Sequence, residues 1–552
     1  MSEVSSYLSY LPPVLWRDDP VPGEEAGSRL GLGAMLRVFE KVATGIPDGV
    51  PTARPALTGQ IADLHRLFDP WTTPAEFLPW LASWVALEFP SLQGVPLWDE
   101  YQRRKVTAEI ARIYRLRGRR AGLNQYLELY AVGQARPRVT VDDGARLLSV
   151  IPRPGERSEV SALVSQGPVV IGDHVRSEGL TRPWAVATAG DGSLLVGDIG
   201  LPTSAPVVPS RIWHLDRSGR YELSGTPPRP APLAPSTANL NQIVGVAVRP
   251  PRGGAPETAY VLTRTGRIFS IPAPYRGQPA TQLTQLTNAN APIWTIAITV
   301  DPASGDLLVL DRGGKSPQQL AKPSVVTVRP NPLQVTRTAV TAVVEPLSIA
   351  VEADGTLLIG DGGPQDEEVS APADLCGNIW RANRSATPWT LTKLLPAVNP
   401  LTAPTALARA RDGQLYALDA GLKPISPSST DPFICPVAEH AAVYAVDLTA
   451  TPPTVVRTTG PGQFVYPTGM VAAGDHLVVA DPGQPEVEGL EPFWGRVRPF
   501  QFDVSIHFTR SRLPEDPDEL RRVLDQAVGN ISSIVDEQKP AHTLWTLATS
   551  IL

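Results

Sequence analysis

Five aspartates stand at one place in a repeated string. Asp198, Asp311, Asp361, Asp419 and Asp481 close DGSLLVGD (191–198), SGDLLVLD (304–311), DGTLLIGD (354–361), DGQLYALD (412–419) and GDHLVVAD (474–481). Carboxylates placed in register could converge on a cation, or serve as acids around a central channel. An Asp at a strand end more commonly accepts hydrogen bonds from nearby backbone N–H groups and fixes a turn, so a structural role is predicted. The seven histidines, His65, His174, His214, His440, His476, His507 and His542, are scattered without ligand spacing. No P-loop, HExxH, CxxC or GxSxG string occurs. The sequence therefore predicts no catalytic residue, no metal ligand and no cofactor.

The elements that position these aspartates form a repeat. Each string is a tight turn followed by a short apolar strand, and ETAYVLTRTG (257–266) is a degenerate sixth copy. A short apolar strand precedes each copy: PWAVAT at 183, IVGVAV at 243, IWTIAIT at 293, PLSIAV at 346, PTALAR at 404 and PTGMVA at 467. Further strands follow most copies: RIWHLD at 211, GRIFSI at 266, SVVTV at 324, GNIWRA at 377, AVYAVD at 442 and GRVRP at 495. Six meanders of roughly fifty residues predict a radially repeated sheet, a six-bladed β-propeller over 160–498. The turn-strand-Asp arrangement resembles the NHL-type propeller repeat. Val160 to Ile171 is expected to close the ring beside the 495 segment, because closure removes exposed strand edges. Cys376 and Cys435 fall at matching points of the fourth and fifth blades, where a disulfide is one alternative.

The flank before the repeat is mostly helical, and the one after it mixes helix and strand. In WDEYQRRKVTAEIARIYRLRGRRAGLNQYLELY (98–130), Val106, Ile110, Ile113 and Tyr114 mark one helical stripe and Leu123, Tyr126, Leu127 and Tyr130 a second. Gly118 stands where a left-handed residue would end the first helix. Upstream, Leu32, Met35, Leu36, Phe39 and Val42 mark another helix. Thr73, Pro74 and Glu76 have capping-box spacing before a stripe of Leu78, Leu81, Trp84 and Val85. Trp16, Trp71, Trp80, Trp84 and Trp98 are expected in the core of this region, residues 1–131. After the repeat, Phe502, Val504, Ile506 and Phe508 alternate as a strand. Asp516 and Pro517 then start a helix through Val535 that Pro540 ends, and TLWTLATSIL closes as a strand.

LPPVLW, LFDPWTTPAEFLPWLASWVAL, RKVTAEIARIYRLRGRRAGLNQYLELY and DEQKPAHTLWTL together resemble the tail protein I family, the small wedge subunit of contractile phage baseplates and related injection particles. The resemblance covers about 7–150 and 499–552. It implies a multidomain chain with an N-terminal α-helical wedge region and the propeller as an insertion. Residues 132–159 and 499–552 would then form one discontinuous α+β domain of ferredoxin-like type. It implies as partners two copies of a baseplate-J-like subunit, neighbouring wedges in a sixfold baseplate, and sheath-tube and hub proteins, in a particle assembled in the cytoplasm. Arg117, Gly118, Arg120, Gly122, Lys539, Pro540, Ala541, His542 and Thr543 match family motif positions, with an architectural role. A propeller enzyme, or a glycan-binding module using Trp389 and Phe433 on a helical mount, is the alternative.

Bulk properties set the outer bounds. The chain has 552 residues, 42% hydrophobic and 19% charged, with 59 prolines and 45 glycines, so several globular domains are expected. A net charge of −6 gives no global case for nucleic acid. Residues 102–120 reverse the sign with eight Arg or Lys against one Glu, a pattern that fits a solvated face or a seat for an acidic protein. Two cysteines fit a reducing compartment, and neither a signal peptide nor a membrane span is predicted.

Overall fold

The computed structural model describes residues 5–15, 31–46, 55–89, 91–92, 95–96, 98–130, 137–143, 147–152, 160–164, 169–171, 174–176, 179–200, 208–226, 228–233, 240–288, 293–313, 315–316, 319–320, 322–363, 376–386, 388–421, 441–460, 462–483, 501–508 and 510–551. Contacts divide the chain into Met1–Arg115 and Leu116–Leu552. The boundary falls at 115 and not at the expected 131. The reason is packing: helix 120–130 lies against the C-terminal helix and the strand Arg138–Asp142 of the second unit.

The first unit is a set of short helices: α1 (Leu32–Thr44), α2 (Leu57–Ala62), α3 (Leu78–Ser83) and α4 (Glu100–Tyr114). Asp99 caps α4 in a full capping box, with its side chain on Gln102 N–H and the Gln102 side chain on Asp99 N–H. Leu78, Leu81 and Ala82 of α3 are buried, with Val106, Ile110 and Ile113 of α4. The capping box expected at Thr73 does not form. A 3-10 turn, Ala75–Phe77, intervenes, and the Thr73 hydroxyl is buried with no hydrogen-bond partner among the described residues.

The second unit holds a ring of sheets and a smaller α+β sheet. Among the described residues the ring comprises six antiparallel sheets of three or four strands, one for each repeat. Their first strands, Pro183–Thr188, Ile243–Arg249, Thr295–Val300, Pro346–Val351, Pro404–Arg409 and Gly469–Ala473, adjoin in that order, and the last returns to the first. Second strands such as Leu194–Asp198, Leu307–Asp311, Leu357–Asp361 and Leu415–Asp419 are buried at every position, which is why they are continuous apolar runs. The arrangement resembles a propeller.

Closure differs from the expectation. The strand next to His476–Ala480 is Leu148–Pro152, in register from His476 against Pro152 to Ala480 against Leu148. Ser161–Val164 lies outside it as the fourth strand. Residues 148–152 thus belong to the ring and not to the α+β domain. LSVIP was ambiguous because its short apolar pattern suits either sheet. The 495 segment, Cys435 and Phe433 lie outside the described residues, so the disulfide alternative falls there too.

The α+β part combines α5 (Arg120–Tyr130), strand Arg138–Asp142, strand Gln501–Phe508, α6 (Pro517–Gln538) and strand Leu544–Ile551. Arg138–Asp142 runs antiparallel to Gln501–Phe508, which pairs in parallel with Leu544–Ile551 across the α6 crossover. Asp516 caps α6 by accepting from Asp518 and Glu519 N–H, with Pro517 in the first turn. Ile531, Ile534 and Val535 carry its buried face.

Candidate assembly sites

Two places gather the residues singled out by sequence, and a third gathers residues it misjudged. The first is a corner. Gly118 has φ +76°, a left-handed turn before α5, and its N–H donates to Gln538 O at 3.3 Å. Arg117 donates to Glu537 O at 2.6 Å. Gly122 sits against the turn so closely that a Cβ there would lie 2.4 Å from Leu116 O. Lys539 is extended, as the following proline requires, so α6 stops at Gln538. Thr543 N–H and Oγ1 both donate to Pro540 O. Arg120 reaches Asp143 at 3.4 Å.

The RGRRAG turn and the QKPAHT turn therefore meet, although they lie more than 400 residues apart in sequence. Between them is a cavity of about 230 Å³. Gly118, Arg120, Lys539, Pro540 and Thr543 line it, whereas Ala541 and His542 are exposed.

The second place is the set of strand-end aspartates. Each spans the gap between its own strand and the loop before the first strand of its sheet. Asp198 accepts from Thr181, Arg182 and Gly200 N–H at 2.6 to 2.9 Å, and Asp419 from Thr402, Ala403 and Gly421 at 2.7 to 3.0 Å. Asp361 and Asp481 accept from Glu345 and Gly363, and from Val465, Tyr466 and Gly483. Asp311 accepts from Trp294 and Gly313 and pairs with Arg337. In the degenerate copy Thr263 takes the position, accepting from Arg267 N–H through its hydroxyl. Burial pushes the Asp198 and Asp419 carboxyls up against the opposing pull of these donors. The carboxylates lie apart, one per sheet, each engaged with backbone, and no group of three metal-binding side chains occurs among the described residues.

At the ring's centre is a cavity of about 140 Å³ lined by the first strand of every sheet. Its charged side chains face one another or aromatic rings. Arg312 pairs with Glu345, both buried, and Arg264 lies between Trp184 and Trp294 at 5.4 and 5.2 Å from the ring centroids. Trp389 packs against the core of the fourth sheet and is only partly exposed.

The third place corrects the expectation that the N-terminal tryptophans are core. Trp98 is buried, but Trp71, Trp80 and Trp84 are exposed, the last two at 41% and 64%, and Trp16 lies outside the described residues. Trp84 meets Phe68 and Trp80 edge to face at 5.6 and 5.1 Å, Phe68 meets Trp80 at a tilt at 5.9 Å, Phe77 meets Trp80 edge to face, and Trp71 lies tilted against Tyr101. Met35, Val38, Phe39 and Val42 of α1 are likewise exposed, as are Leu57 and Ile61 of α2. Helices of six residues offer too few turns to cover this much apolar surface.

Sequence reasoning also missed Arg138. Its guanidinium, 2% exposed, donates to Ala420 O at 2.6 Å and Val465 O at 2.5 Å, clamping the α+β sheet to the fifth and sixth sheets of the ring. Asn124 of α5 adds a bond to Gly462 O. Across the sheet Arg138 faces His507, whose Nδ1 meets Ser550 Oγ at 2.8 Å. Burial, with the Arg138 charge beside it, lowers the His507 pKa to about 3. The sequence offered little signal, because in RVTVD Arg138, Thr140 and Asp142 alternate with Val139 and Val141 and read as an ordinary polar face, whereas all five positions are buried.

Residues 43–138 match the family model described as phage tail protein (Tail_P2_I). No curated protein matches the chain. Among solved structures, a protein provisionally described as a gluconolactonase is 12% identical, covering 57% of this chain and 94% of its own, at a TM-score of 0.34. The β-propeller domain of Cps50 (Swd1) from Myceliophteria thermophila is 12% identical over 54% of this chain and 96% of its own, at 0.29. TM-scores this low add nothing to what the sheet topology shows. No helix among the described residues is long and apolar enough to cross a membrane.

Proposed function

We propose that this chain is a structural subunit of a contractile, phage-tail-like injection particle. It would act as a small baseplate wedge component carrying a six-bladed, NHL-like propeller as an accessory binding or bracing module. In this reading the helical unit joins two copies of a baseplate-J-like subunit, and the ferredoxin-like α+β part contributes to the junction with neighbouring wedges in a sixfold ring around sheath-tube and hub proteins. The observation that carries it is the exposed aromatic ladder of Phe68, Phe77, Trp80 and Trp84, which falls inside the segment matching the phage tail model. Apolar surface of this extent is ordinarily covered by a partner. The Arg138 clamp supports bracing, since it fastens the ring to the α+β sheet through buried bonds. The central cavity lends an enzymatic alternative no support, because its carboxylate, Glu345, is already matched by Arg312.

The test is co-expression with a baseplate-J-like subunit followed by size-exclusion chromatography. The full-length chain is expected to co-elute with it. The double variant Trp80→Ser, Trp84→Ser is expected to stay folded and elute alone. Failure of the unmodified chain to co-elute would remove the wedge reading.

A further inference from the structure

Five of the ring's six sheets carry a fourth, outermost strand among the described residues, and four of those five are blunted. Thr281–Gln285 and Ser161–Val164 are short and pair with a break in register. Thr390–Lys393 and Thr454–Arg457 have four residues each and end in a cation. Shortness, charge and irregular pairing all keep a strand edge from templating another chain. Leu333–Ala339 of the third sheet has none of these guards. It has seven residues, pairs residue for residue with Ser324–Pro330, and contains no proline or lysine. Its one charge, Arg337, is bonded to Asp311 and Ser324 within its own sheet. Six of the seven residues are exposed, Leu333 and Val335 at 48% and 47%, and no described strand lies on the free side.

A row of outward N–H and C=O groups is satisfied by another extended strand. The string LQVTRTA is complementary to itself. Laid antiparallel about Thr336, it sets Leu333 opposite Ala339, Gln334 opposite Thr338, Val335 opposite Arg337, and Thr336 opposite its own copy. The N–H and C=O of one residue point to the same side of a strand, so this register matches outward groups to outward groups whichever alternate residues face out. One face then pairs Leu with Ala and Val with the Arg stem, the other carries a row of Thr and Gln, and no like charges meet. We propose that Leu333–Ala339 is a two-fold interface at which two copies of this chain join their third sheets into one continuous sheet. A single strand pair is a small interface, so the association is reversible and concentration-dependent. The contact lies in the ring and goes beyond the wedge reading, which rests on the helical unit.

Sedimentation velocity of the full-length chain over a rising concentration series tests this. The unmodified chain is expected to pass from monomer to dimer. Thr336→Lys and Thr336→Glu each set like charges face to face across the axis, and each is expected to weaken the dimer about tenfold or more. Mixed in equal amounts, the two variants are expected to recover a dimer, because Lys then faces Glu. Thr336 is exposed, so both variants keep the fold, which circular dichroism checks. The Trp80→Ser, Trp84→Ser variant is expected to dimerise like the unmodified chain, which separates this contact from the aromatic ladder. A chain that is monomeric across the series overturns the proposal, as does a dimer unchanged in both Thr336 variants. Absence of a dimer in the mixture overturns it too, and so does loss of the dimer in the tryptophan variant, which would place the contact at the ladder.

Discussion

The helical unit and the ring of sheets treat the same residue types in opposite ways. In the ring Trp213 and Tyr260 are buried, and each strand-end aspartate is engaged with backbone N–H groups. In the helical unit Trp80 and Trp84 face solvent. The difference lies in closure. Six sheets arranged in a circle cover one another's faces, so the ring is complete within a single chain. Among the described residues the short helices leave one apolar face uncovered.

The contrast predicts where substitutions will hurt. The largest loss is expected at Asp419→Ala, which orphans three buried N–H donors and should destabilise the ring by about 3 kcal/mol or more. Asp419→Asn, which keeps one acceptor, should lose about half as much. Thermal unfolding followed by circular dichroism distinguishes them, and equal losses would mean the carboxylate is not what fixes the turn.

Acid provides the next test. His507 titrates near 3 in the folded chain and near 6.5 when unfolded. Between those values the unfolded chain binds a proton that the folded chain does not, so stability falls as pH drops from about 6.5 towards 3. The loss should reach roughly 2 kcal/mol at pH 5. His507→Gln should flatten that slope relative to the unmodified chain, as read from melting temperatures across the range.

Comparable effects are expected at the corner, where two glycines separate two causes. Gly122→Ala forces a Cβ onto Leu116 O and should cost about 2 to 3 kcal/mol. Gly118→Ala meets nothing closer than 3.8 Å and should cost only the strain of its left-handed backbone, about 1 kcal/mol. Denaturant midpoints would show a reversal of that order if the close approach is absent. The smallest effect belongs to the helical unit: the Trp80→Ser, Trp84→Ser double variant should change stability by under about 1 kcal/mol while abolishing partner binding. A large loss of stability would place these side chains in a core and erase the contrast.

What could be read from the sequence follows the same division. The repeated strings located the first, second and most third strands because a buried strand between two others has to be a continuous apolar run. The aspartates' attachment to backbone was legible from their place at a strand end. The closing strand was not, since LSVIP carries no mark that assigns it to a sheet completed more than 300 residues later. Trp84 was misplaced because helical spacing identifies a face without saying whether the chain itself covers it. The corner was legible as two separate motifs but not as one site, because the bonds from Arg117 and Gly118 to Glu537 and Gln538 join turns more than 400 residues apart.

The sixth sheet also fixes an order of events during synthesis. Leu148–Pro152 emerges from the ribosome early, and its partner His476–Ala480 emerges roughly three hundred residues later. Arg138–Asp142 waits longer still for Gln501–Phe508. Translation therefore runs for most of its length with two strand edges uncapped, a stretch in which a nascent chain is prone to sticking to its neighbours.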